Sequence, residues 1–130
     1  MSRPRFNWWP FALNMIRDYP IRKKEMERAP HNAQLRQEQR EYDAVHKAIE
    51  YTRTLNDGRA RIRMIELTLW KRTYTIDGAA GLLNLSERTA QRYRWQFVVL
   101  MGHAYGFLTD EEYRAIVDRE TGNEKRNPRA

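Results

Sequence analysis

Residues 75–95, TIDGAAGLLNLSERTAQRYRW, decide how the rest of the chain is read. Thr75 is a fitting N-cap for a helix over Ile76 to Leu83, because its hydroxyl can accept from one of the first free backbone N–H groups. Asn84 then ends that helix, since asparagine tolerates the left-handed conformation of a sharp exit. Ser86 caps a second, longer helix. Ala79, Leu83, Leu85, Ala90 and Tyr93 are spaced so that both helices and the turn between them share one small core, with Ala80 at the closest approach. A short helix, a tight polar turn and a longer helix together outline a helix-turn-helix unit.

With Ser86 as cap, the second helix exposes Glu87, Arg88, Gln91, Arg92 and Trp95, candidates for reading base edges in a major groove. Arginine forks onto guanine, glutamine pairs with adenine, and glutamate accepts from cytosine. Ser86 and Thr89 suit phosphate oxygens near the helix start, and Arg94 is a further phosphate candidate. The plainer alternative, two consecutive helices of an ordinary all-α protein, carries the same caps and stays open.

Towards the N-terminus, Ile62, Ile65 and Leu69, with Met64, Leu67 and Trp70, mark the apolar face of a helix running to about Arg72. Arg59, Arg61, Arg63, Lys71 and Arg72 on this helix are candidate phosphate contacts, which hold a reader in register without carrying sequence information. Asn56-Asp57-Gly58 is a strong turn. Before it a helix spans Asn32 to Leu55 with the stripe Leu35, Tyr42, Val45 and Ile49, so a helical hairpin is expected. Trp8, Ala12, Met15, Ile16 and Tyr19 mark a first helix that Tyr19-Pro20 breaks, and a basic segment from Ile21 to Ala29 follows. Phe6, Trp8, Trp9 and Phe11 are expected to cap a core short of apolar mass, with a protein-contact anchor as the alternative.

Beyond Trp95 the helix continues through Phe97, Val98, Leu100 and Met101 towards Ala104 and ends near Gly106. Thr109 to Glu112 reads as a capping box that opens a last short helix with Tyr113, Ile116 and Val117. The expected fold is therefore all-α: small helices in 1–30, a hairpin in 31–72, the helix-turn-helix in 73–106, a C-terminal helix in 107–119 and a disordered tail in 120–130.

The chain has 130 residues and a net charge of +7, which suits a polyanionic partner. The charge is uneven: residues 57–72 hold five basic side chains against two acidic ones, whereas residues 73–106 hold three against two. The absence of cysteine excludes disulfides, thiolate zinc sites and cysteine nucleophiles. His31, His46 and His103 fall on separate segments with no paired carboxylates or phosphate loop nearby, so neither an enzyme nor a cofactor or metal is expected. Asn7, Pro10 and Asn14 interrupt the apolar N-terminus, and no run reaches the roughly 18 apolar residues of a membrane span, so a soluble, intracellular protein with no membrane partner is expected.

A tryptophan-rich first helix, a long polar helix, the Asn-Asp-Gly turn and an Arg/Ile helix leading into LNLSERTAQRYR form a familiar order. It resembles the late-gene transcriptional regulators of phages and prophages of Gram-positive bacteria, the ArpU/RinA-like group, whose C-terminal part is similar to region 4 of sigma factors. The resemblance spans residues 8–106, and its specific part is Leu83 to Arg94. Ser86, Arg88, Thr89 and Arg92 match the family pattern, while Ala90 and Gln91 stand where a valine and an aromatic are usual. Gly78-Ala79 replaces a common Glu-Ile. The resemblance implies control of late phage genes for packaging, morphogenesis or lysis, in a bacterial cytoplasm, by binding double-stranded promoter DNA, with RNA polymerase as a candidate contact.

One such module buries only about 600–1,000 Å² on DNA, so a homodimer or higher oligomer is expected. The stripe at Leu35 to Ile49, the aromatic N-terminus and the distal half of the long helix are its candidate surfaces. Two other functions fit the same sequence. A small terminase subunit would bind packaging-site DNA as a ring, and a non-enzymatic adaptor would turn its basic surface to an acidic protein.

Overall fold

The computed structural model describes residues 6–28 and 36–126, with side chains through Glu120. Among these residues the protein is all-α, with six helices and no strand. They are α1 (Trp9–Arg28), α2 (Arg36–Arg53), α3 (Gly58–Ile65), α4 (Ile76–Leu82), α5 (Glu87–Tyr105) and α6 (Asp110–Arg126); a π-helical turn, Glu66–Trp70, extends α3.

The sequence suggests a break at Tyr19-Pro20, yet α1 runs straight through Pro20. Proline has no N–H for the carbonyl four residues back, which leaves the Ile16 oxygen without its helical partner. The Trp70 indole N–H donates to that oxygen at 2.7 Å. A side chain 54 residues away thus takes over the bond that proline cannot make. The separate basic segment from Ile21 is therefore the second half of α1, and Met26 within it is buried.

Two cores organise the fold. The larger joins Trp8 and, from α1, Ala12, Ile16 and Tyr19 to Val45, Ala48 and Ile49 of α2, and to Ile65, Leu69, Phe97, Val98 and Met101. The smaller consists of Met64, Leu67, Ala79, Ala80 and Ala90, with Ile76, Leu83 and Leu85 packed on it. The helix that starts at Gly58 serves both, sending Met64 and Leu67 one way and Ile65 and Leu69 the other. Its last turn widens at this point. The Thr68 hydroxyl donates to the Met64 carbonyl at 2.6 Å, a back-bond that loosens the regular ladder. Lys71 N–H then reaches the Glu66 carbonyl at 2.8 Å, and Arg72 leaves with φ 55. The helix proper thus ends at Trp70, short of the expected Arg72.

At the turn before α3, Asp57 is left-handed with φ 58. A Cβ at Gly58 would lie 2.7 Å from the Arg53 carbonyl oxygen, so only glycine lets α3 begin this close to the end of α2. The hairpin turn is as expected, but α2 packs on α1 and α5 as well as on α3. The start expected at Asn32, together with Leu35, His31 and the end of the basic segment at Ala29, lies outside the described residues.

The capping box of α6 forms as read: Glu112 accepts from Thr109 N–H at 2.9 Å, and Thr109 Oγ1 accepts from Glu112 N–H at 3.1 Å. This helix continues to Arg126, well into the stretch expected to be disordered. A capped helix can run on through a sequence without apolar residues when no proline intervenes, and the next proline in the sequence is Pro128.

The three surfaces expected for self-association are largely internal. Val45 and Ile49, Trp8, and Phe97 to Val99 with Met101 are all buried within this single chain. Trp8 stacks on Phe6 and Phe107 with ring centroids 4.8 and 5.2 Å away, so Phe6, Trp8 and Trp9 cap the core, whereas Phe11 points outward.

Candidate nucleic-acid interface

The α4–α5 unit is built by three local devices. The Thr75 hydroxyl accepts from Gly78 N–H at 3.1 Å, which starts α4. At its exit Asn84 has φ 59, Leu85 N–H bonds the Ala80 carbonyl at 2.8 Å and Asn84 N–H bonds the Gly81 carbonyl at 3.2 Å. This pair of bonds is a Schellman motif, which satisfies the last carbonyls of α4 and reverses the chain. Ser86 Oγ then accepts from Thr89 N–H at 3.1 Å and starts α5. α4 closes at Leu82, one residue before the expected end.

Tyr93 is buried, as expected, but serves a different purpose. Its hydroxyl donates to Asp57 Oδ2 at 2.7 Å, and the Arg61 guanidinium lies 4.2 Å from its ring centroid. Burial, then the Asp57 bond, raises the Tyr93 pKa. Arg61 also donates to the Asn56 carbonyl and to Gln96 Oε1, at 2.8 and 2.7 Å. The group expected to reach a phosphate thus ties α3 to α5 from a half-buried position.

On the outer face of α5, Glu87, Arg88 and Gln91 are exposed, while Arg92 is half-buried. Gln91 donates to Glu87 Oε1 at 3.1 Å. Arg88 makes no hydrogen bond or ion pair among the described residues. Trp95 is half-buried against the larger core, set back from the exposed turns. Asp77 of α4 faces Glu87, and this acid-to-acid hydrogen bond, with the repulsion between the two, raises the Glu87 pKa. The sequence does not single out Asp77, because only the turn at Asn84 brings residues ten apart together.

The candidate phosphate contacts separate into groups. Arg59 and Arg72 are exposed. Arg63 is paired with Glu66, and Lys71 lies 3.9 Å from the same carboxylate. Ser86 and Thr89 are hydrogen-bonded to each other through their hydroxyls at 2.9 Å. Arg94 is half-buried on the flank of α5 that meets α1. Among the described residues no group of three or more His, Cys, Asp or Glu side chains could hold a metal ion. His103 instead bonds Asp110 at 2.7 Å, and His46 meets the Tyr19 hydroxyl at 3.1 Å.

Fold and surface together define an all-α chain that presents a capped helix-turn-helix with a polar, partly basic outer face. No protein-family model, no curated protein and no solved structure matches the chain. Among the described residues no helix is long and apolar enough to cross a membrane.

Proposed function

We propose that this chain is a sequence-specific DNA-binding regulator of transcription that reads the major groove with the helix starting at Ser86. The observation that carries this is the placement of Arg88. It sits exposed in the first turn of a helix capped by Ser86, beside the exposed Gln91, on a unit whose two helices both start on side-chain caps. Such a helix end is the part that reaches base edges in a groove. The net charge of +7 supplies attraction to a polyanion. Arg59 and Arg72 are the exposed phosphate contacts on the α3 side. The resemblance to late-gene regulators of phages supports activation of packaging, morphogenesis or lysis genes in a bacterial cytoplasm, with RNA polymerase as a candidate partner. A homodimer would use outward apolar residues such as Tyr51 and, from the aromatic N-terminus, Phe11, since most of the other stretches named from the sequence are inside the monomer.

The test is selection of double-stranded DNA from a random library by the wild type and by Arg88→Ala, with the mass in solution measured alongside. Losing a bidentate base contact removes about 1–3 kcal/mol of discrimination, so the variant should lose preference at one base position. An identical motif and affinity for both proteins refutes the recognition-helix assignment, and a closed ring of many subunits points to a packaging protein instead.

A further inference from the structure

Where α1 meets α5, two arginines, Arg17 of α1 and Arg94 of α5, hold nothing inside the helix-turn-helix. Arg94 follows Gln91 by three residues, about 4.5 Å along the axis, on the edge next to the exposed face. α1 packs on α5, with Trp8 at its start lying against Gly102, and Arg17 comes within electrostatic reach of Arg94. The Nε of each is shut off from solvent and has no hydrogen-bond partner. Among the described residues neither side chain makes an ion pair, whereas Arg22, Arg53 and Arg63 each hold a carboxylate. Burial and then the Arg17 charge lower the Arg94 pKa, so the pair stands at an electrostatic cost that a bound anion would relieve. Lys24 and Arg28, seven and eleven residues after Arg17 on the same side of α1, are exposed and continue the positive strip.

We propose that Arg17 and Arg94 form a two-guanidinium seat for one phosphate group, which, on the reading of α5 as a recognition helix, is a backbone phosphodiester of the bound DNA. Guanidinium forks match the oxygens of a phosphate, and two forks from different helices fix its position more tightly than one. Bound there, the phosphate joins α1 to α5 and sets how deeply the reading turns enter the groove.

Arg17→Gln, Arg94→Gln and the double variant are compared with the wild type in two measurements, after circular dichroism and thermal melting establish that each is folded. In the first, DNA affinity is followed against salt. Each single variant should lose about one contact's worth of salt dependence, so over a fourfold rise in salt the wild type weakens about 3.5-fold more than the variant. The double variant should match the singles, because both arginines hold the same phosphate, and base preference should not change. In the second, inorganic phosphate at matched ionic strength should raise the melting temperature of the wild type above that in chloride, and not that of the variants. Unchanged salt dependence and an unchanged phosphate shift in the variants overturn the seat. A lost phosphate shift with full salt dependence retained overturns its assignment to DNA. If the wild type binds no DNA, the regulator reading falls, while a phosphate shift lost in the variants still supports the seat.

Discussion

Pro20 and Trp70 make a prediction that the sequence order alone would not raise. Trp70→Phe keeps a ring against Tyr19, whose centroid lies 5.5 Å away, but removes the N–H that reaches Ile16 O at 2.7 Å. Ile16 is fully buried, so the carbonyl has no water to turn to. Leaving it unpaired costs about 1–3 kcal/mol, and the smaller ring adds about 1 kcal/mol of lost apolar contact. In a Pro20→Ala background the alanine N–H takes the Ile16 carbonyl in an ordinary helical bond, and only the ring-size cost remains. Any gain from relieving the proline, or loss from a looser unfolded chain, is the same whichever residue stands at 70 and cancels in the cycle. The expected coupling is therefore about 1–2 kcal/mol, with Trp70→Phe costing less in the Pro20→Ala background than in the wild type. Urea unfolding of the four proteins, followed by far-ultraviolet circular dichroism, measures it. A cycle that closes within about 0.4 kcal/mol, the scatter of independent sites, would refute the exchange of donors.

Gly102→Ala should be destabilising, since its Cβ would lie 2.5 Å from Trp8 Cη2 and push the ring out of its stack on Phe107. About 1–3 kcal/mol is expected, with a red shift in tryptophan emission; unchanged stability and emission would mean that Trp8 is not seated on α5. Alkaline pH should weaken the fold from the side of α1. Burial, and then Tyr42, push the Tyr19 pKa from 10.0 up to about 12, so in that window the unfolded chain releases a proton that the folded chain keeps. Stability should thus fall as pH rises from about 10 to about 12, and urea midpoints that hold level or rise there would contradict it. Tyr93 and Tyr113, raised first by burial, act in the same direction.

The local devices are legible because each depends on residues close in sequence. Thr75, Asn84, Ser86 and the Thr109 capping box all act within one turn of chain, and all four form as their residue types demand. The points that the sequence misplaces depend on partners far away. Pro20 reads as a stop until Trp70 supplies a donor, and Arg61 reads as a candidate phosphate contact, with nothing nearby in sequence to show the Tyr93 ring and Gln96 that engage it. The stripe from Tyr42 to Ile49 reads correctly as an apolar face, but which helix covers it is a matter of topology. Charge is legible as a sum and illegible as a surface: Arg61, Arg63 and Arg94 count towards the same +7 as Arg88, yet those three are engaged or enclosed.

The exposed end of α5 is fixed in direction because the helix is shared between the two cores. Ala90 belongs to the smaller core, while Phe97, Val98, Val99 and Met101 belong to the larger. Between them α3 is bonded across at Tyr93 through Asp57 and at Gln96 through Arg61. A helix held at three levels cannot rotate in one core without leaving the other, so the direction of Arg88 is set well beyond its own turn. Gly102, fourteen residues on and about 21 Å along the axis, is one of the points that set it, because Trp8 lies against it. The exposed end can then carry the mutually repelling Asp77 and Glu87, which a marginal isolated helix would tolerate poorly. Under the proposed function, damage at Trp8 or Gly102 should lower binding to all DNA alike through the folded fraction, whereas damage at Arg88 should alter which DNA is chosen.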